Sequence, residues 1–175
     1  MRISSFGKRA FTPTRRTGHE GRGLESLILS SQTTVRLTKI PLSARRLAGG
    51  ELMACSGPVD FMGGYVPGGQ LLIFDAKQTK NPHRLPTGKK ELREHQRLEI
   101  CRYGEAGFIA GLLCECTATG TLYWCDWRQI ATRRASVPWS DMTDIGTSKK
   151  AVLWQLIVEV ATDANLNSIN FGIKR

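Results

Sequence analysis

The side chains with the most chemical potential sit at Asp60 and in the run Phe74-Asp75-Ala76-Lys77. Asp75 and Lys77 are two positions apart, so on a β-strand both leave the same face, about 7 Å apart along the chain. They follow Leu71-Leu72-Ile73-Phe74, an apolar run without alternation, which predicts a central strand covered on both faces. A carboxylate and an ammonium emerging from such a strand are costly unless they find partners. Asp60 precedes a stretch from Gly63 to Gly69 that is rich in glycine and contains Pro67. Two extended runs across such a turn read as a hairpin, which brings Asp60 beside the pair. Two carboxylates can hold Mg²⁺, a hard ion that prefers oxygen and retains waters. Such an ion acidifies a bound water and offsets charge building on a phosphate. A neighbouring lysine can orient or help deprotonate that water. Phosphodiester hydrolysis needs this combination; the plainer alternative is a salt bridge at the end of a core strand.

A helix is predicted over Lys89–Tyr103, ended by Gly104, with Leu92, Gln96, Ile100 and Tyr103 along one face. Gln96 is the amide in that apolar stripe and should have a buried polar partner, for which the pocket of Asp60 and Asp75 is the natural candidate. His95, on a neighbouring face, is read as facing solvent. In an earlier helix, from about Gly23 to Ser31, Glu25 shares a face with Ile28 and Leu29. It is either a third carboxylate for a metal or a partly exposed acid that the helix dipole favours near its N-terminus.

These residues need a scaffold, and the rest of the chain predicts a small α/β domain. Thr33–Ile40 reads as a strand ended by Pro41, and 42–57, with Arg45-Arg46 and Gly49-Gly50, as an irregular arm or long hairpin. Phe108–Cys116 reads as a second buried strand with Thr121–Trp127 as its hairpin partner, and 79–88 as a loop. The chain then looks basic and loop-like to about Ser148, and an apolar helix is predicted over 150–164. Residues 1–20 read as a flexible basic arm, and 21–175 as one domain.

Composition narrows the partners. The 175 residues carry 25 Lys and Arg against 15 Asp and Glu, a formal net charge of +10. Such an excess attracts polyanions and makes their binding salt-sensitive. Basic pairs are also ordinary solvated surface, so charge alone does not carry the case. No apolar run approaches the roughly 20 residues needed to cross a bilayer, and Met1–Arg16 has no apolar core of signal-peptide length. A cytoplasmic setting without membrane partners is the expectation. The five cysteines are too few and too scattered for a disulfide scaffold. Cys114 and Cys116 belong on one strand face as buried thiols rather than in a zinc loop.

Taken in order, Val59-Asp60-Phe61-Met62-Gly63, then Asp75-Ala76-Lys77-Gln78-Thr79-Lys80-Asn81, then Glu94-His95-Gln96 resemble the RecU family of Holliday junction resolvases, within the PD-(D/E)XK nucleases. The second run is similar to that family's Glu-Ala-Lys-x-Thr-x-Asn signature. Gly21-x-x-Leu24-Glu25 resembles its opening helix motif, and Thr34–Pro41 the strand leading to its stalk. The likeness covers roughly residues 20–127 and departs from the family at Asp75, where Glu is usual, at Glu20, and in a shorter arm. A compact version suits a phage-encoded relative, working in bacterial or phage-infected host cytoplasm.

The resemblance implies a restriction-endonuclease-like core, a central mixed β-sheet flanked by helices, with 42–57 as a protruding, stalk-like arm. It implies a homodimer that nicks four-way junction DNA symmetrically with Mg²⁺, Mn²⁺ substituting, in recombination and repair. Asp60, Asp75 and Glu25 would bind metal, the Ala76 carbonyl would be a further ligand, Lys77 would act on the water, and Gln96 would support the pocket. Arg22, Arg45, Arg46, Lys80, Lys89 and Lys90 would face phosphate. Two alternatives stay open: the same chemistry on other DNA, as in a restriction or repair nuclease, or a non-catalytic basic DNA-binding protein.

Overall fold

The structure, a computed structural model, describes residues 22–41, 43–46, 52–55, 57, 59–133, 135–147 and 150–171, of which 22, 43–46, 52–55 and 164–171 are described by their backbone. The expected arm over 1–20 lies outside the described residues.

The apolar run at 71–74 forms a central strand. β5 (Leu71–Thr79) pairs antiparallel with β4 (Phe61–Tyr65) on one side and parallel with β7 (Ile109–Cys116) on the other. A parallel neighbour cannot be reached through a tight turn, and α2 (Glu94–Glu105) provides the crossover. β1 (Val35–Lys39) extends the sheet beyond β4, while β8 (Thr121–Asp126) and β10 (Thr143–Thr147) extend it beyond β7. The order is β1-β4-β5-β7-β8-β10, antiparallel except at β5 and β7.

Helices cover both faces. On one, Leu24 and Ile28 of α1 (Arg22–Ser30) and Trp154 and Ile157 of α4 (Trp154–Phe171) pack against Leu72 and Phe74. The Phe74 ring stacks on Phe61 at 5.2 Å and meets Trp154 at 5.8 Å. On the other, Ile100 of α2 and Ile130 of α3 (Trp127–Thr132) pack against Ile73 and Leu112. Each such side chain contributes about 1.5–3 kcal/mol by leaving water. The expected central mixed sheet flanked by helices is therefore present. Cys114 and Cys116 both lie in this second cluster, as their two-residue spacing predicts.

Several boundaries differ from the sequence reading. Gly63 and Gly64, expected in the turn, belong to β4, and the turn proper is closed by Tyr65 N–H donating to the Gln70 carbonyl at 2.8 Å. Gly63 is there because β1 runs so close that a Cβ would lie 1.9 Å from the Arg36 carbonyl oxygen. α2 begins at Glu94 rather than Lys89, after a turn in which Leu92 N–H donates to the Gly88 carbonyl at 2.9 Å. Gly104 does not end this helix; it lets Trp127 pack, since a Cβ would come within 2.3 Å of the indole. The stretch that reads as loop after Trp127 holds α3, β9 (Ser136–Pro138) and β10. β9 pairs with β6 (Arg84–Pro86), another segment that reads as loop. In the arm, β2 (Ser43–Arg46) and β3 (Leu52–Cys55) form a two-stranded antiparallel sheet of their own. The last helix runs beyond 164, to Phe171. Among the described residues no helix is long and apolar enough to cross a membrane.

Gly63→Ala is expected to destabilise the fold by about 3 kcal/mol or more, because backbone rather than a flexible side chain occupies the space. A fall in the urea midpoint at unchanged slope checks this; an unchanged midpoint contradicts the close approach.

Candidate active site

Alternation along β5 decides which side chains meet. Leu72, Phe74 and Ala76 point toward α1 and α4, so Ile73, Asp75 and Lys77 point toward α2. Asp75 has no exposed surface. The β4–β5 ladder ends at Phe61 and Phe74, and its register continued by one step sets Asp60 across from Asp75. Past the last ladder pair the β4 side of β5 has no backbone partner from β4. The Asp60 carboxylate takes that place, Oδ2 accepting from Ala76 N–H at 3.0 Å.

Gln96 completes the group from above. Its Nε2 donates to Asp75 Oδ1 at 3.1 Å, and its Oε1 accepts from Arg93 N–H at 3.3 Å, so one amide caps α2 and fixes the carboxylate. Lys77 Nζ lies 2.5 Å from Asp75 Oδ2. At that distance the ammonium and Oδ2 form a charge-assisted ion pair inside the buried cluster. Burial pushes the Asp75 carboxyl up from 3.8 to about 7; Lys77 pulls it down, and Asp60, a like charge, pushes it up again.

The structure thus brings Asp60, Asp75, Lys77 and Gln96 together. It does not bring Glu25 to them. α1 packs on the opposite face of the sheet, and Glu25 pairs with Lys39 Nζ at 2.5 Å. Among the described residues no three His, Cys, Asp or Glu side chains gather as a metal cage. The donor set is two carboxylates, one of them fully buried with an oxygen against the Lys77 ammonium. This fits a hard divalent ion that keeps most of its waters. Lys80, Lys89, Lys90 and His95 are exposed, and Arg22, Arg45 and Arg46 are described by backbone alone.

No family model matches the chain, and no curated protein matches it. Among solved structures, it is similar to Hjc, a Holliday junction resolvase from the archaeal hyperthermophile Archaeoglobus fulgidus. The TM-score is 0.47 and the sequence identity 10%, over 71% of this chain and 94% of that one.

Two buried charges escape a reading of the sequence. Arg97 is 6% exposed, and its guanidinium donates to the carbonyls of Thr87 at 2.6 Å, Arg133 at 3.4 Å and Ile130. It ties α2 to the end of α3 and to the turn before α2. The only hint is its place beside Gln96 on the flank of the apolar stripe. Glu115, 9% exposed, is met by the Gln78 amide across β5 and β7. Nothing in its spacing marks it, since it sits in the apolar run of β7.

The raised Asp75 carboxyl ties stability to pH. Between about pH 4 and pH 7 the folded chain holds a proton that the unfolded chain has released, so stability falls as pH rises through that window. Asp75→Asn removes the ionisation and should raise Tm above wild type at pH 7.5 in EDTA, the gap closing by pH 4. Equal Tm values across the range would contradict the burial of the charge.

Proposed function

We propose that this chain is a Mg²⁺-dependent endodeoxyribonuclease that resolves four-way DNA junctions as a homodimer. The observation that carries the chemistry is the convergence of Asp60, Asp75 and Lys77, with Asp75 buried and its Oδ2 against the Lys77 ammonium. Support for the junction as substrate comes from the RecU-like motifs around these residues and from the β2–β3 pair, which stands outside the main sheet where a stalk is expected.

Asp60 and Asp75 would hold the ion, and Mn²⁺ would substitute because the donors are hard oxygens. When bound, the ion supplies acidification of a coordinated water and offset of the charge gathering on phosphate. The chain's own residues fix the geometry. Ala76 N–H holds one oxygen of Asp60, and Gln96 Nε2 holds one oxygen of Asp75, so neither carboxylate turns freely. The Lys77 side chain, 23% exposed, reaches solvent where its ammonium can donate to an attacking water or to a non-bridging phosphate oxygen. Burial beside α2 limits bulk water at Asp75 and strengthens each of these interactions. Glu25 would reach an ion there only if its pair with Lys39 gave way.

The pairing of Lys77 with Asp75 favours a second reading, a structural ion pair in a basic DNA-binding protein. Cleavage separates the two. A labelled immobile junction should be nicked at two symmetric positions with Mg²⁺ and not with EDTA, and a linear duplex of identical arms should be cut less. Asp75→Asn should abolish nicking with junction binding retained. Lys77→Ala should lower turnover by about 10²–10³-fold, the cost of removing one transition-state donor. Full nicking by Asp75→Asn would discard the assignment.

A further inference from the structure

The segment that follows the catalytic strand is basic and held rigid by a part of the chain outside the RecU-like region. From 80 to 93 it carries Lys80, Arg84, Lys89, Lys90 and Arg93 against a single acid, Glu91. All five basic side chains, and His83, are exposed. Loops of this composition are commonly mobile, yet here the backbone is pinned at many points. Asn81 Oδ1 accepts from the N–H groups of His83 and Arg84 at 3.0 and 3.2 Å. The Asn81 carbonyl accepts from Trp139 Nε1 at 2.9 Å, and that indole stacks on Tyr123 at 4.7 Å. β6 pairs with β9, and Arg84 Nη1 reaches the Ser136 hydroxyl at 3.4 Å. Thr87 N–H donates to the Ala135 carbonyl at 2.9 Å, and the Thr87 carbonyl accepts from Arg97.

A basic turn and a short ribbon whose backbone is fixed in advance suit a phosphodiester backbone, since less ordering entropy remains to be given up on binding. At its foot a recess of about 190 Å³, lined by Gln78, Thr79, Lys80 and Thr117, opens at the ends of β5 and β7. Thr79 is two residues beyond Lys77, about 7 Å along the strand. The Thr79 hydroxyl oxygen accepts from Asn81 N–H at 3.2 Å, which leaves its proton to give.

We infer that the β6–β9 ribbon and the 80–84 turn form a second DNA-binding surface, distinct from the β2–β3 arm, which grips the duplex backbone flanking the cut. The inference rests on the nuclease reading for its substrate, but its test does not need catalysis. Binding of a fluorescent duplex is measured in EDTA across a KCl series for wild type, Lys80→Gln, Arg84→Gln, the double variant and Arg102→Gln. The last of these removes the same charge from the end of α2, where Arg102 pairs with Glu99. Each phosphate that is no longer neutralised should flatten the slope of log K against log salt by about 0.9, so the double variant flattens it by about twice that. Arg102→Gln should leave the slope alone. An unaltered slope in the double variant, or an equal flattening with Arg102→Gln, overturns the ribbon. If the double variant instead binds polyglutamate more weakly and DNA undiminished, the surface belongs to an acidic protein and the ribbon is overturned too. A chain that binds DNA through Lys80 and Arg84 and never cuts sinks the nuclease reading alone.

Discussion

A carboxylate sealed within a sheet is expensive to ionise, and in this protein the burden falls on Asp75. Desolvation raises its proton affinity, the Asp60 carboxylate raises it further, and the Lys77 ammonium offsets only part of the cost. The surrounding interactions follow from that constraint. Gln96 gives Asp75 Oδ1 a donor, and Lys77 stands against Oδ2. Two acids matched by one ammonium form a place where added positive charge lowers the energy. A fold that keeps such a centre gives up stability for it, which is common where chemistry is done.

The topology that creates this centre is economical in elements. Pairing β5 parallel with β7 forces a crossover, and the crossover helix is the one that lays Gln96 over Asp75. Ending the β4 ladder at Phe61 frees Ala76 N–H, and the next residue back, Asp60, fills that place with its side chain. Arg97 then locks the helix to α3 and to the turn before it through three carbonyls, so the amide beside it is held in position. One helix thereby couples the rigidity of the second core cluster to the orientation of a single carboxylate.

The centre is legible in the sequence because its signals are local. An i, i+2 pair after an apolar run, and an amide in an apolar helical stripe, need only strand and helix periodicity to interpret. What stays hidden is tertiary. Gly63 reads as a turn residue, and only the approach of the Arg36 carbonyl explains its place in a strand. The segment from 128 to 148 reads as loop because its elements are short. β9 has three residues, and its partner β6 lies some fifty positions earlier. Glu25 stays between two readings for the same reason: periodicity places it on a helix face but does not say which side of the sheet receives that helix. Arg97 escapes notice because a charge on a helix flank is ordinarily solvated, and the three carbonyls that justify its burial come from distant segments.

In the proposed site Asp60 and Asp75 together present oxygens to one divalent ion. Mn²⁺ binding followed by electron paramagnetic resonance tests it without DNA and without turnover. Wild type should take up Mn²⁺ saturably, Mg²⁺ should displace it, and Asp60→Asn and Asp75→Asn should each weaken binding by at least about tenfold, the equivalent of about 1.4 kcal/mol. Undiminished binding in both variants would contradict the account.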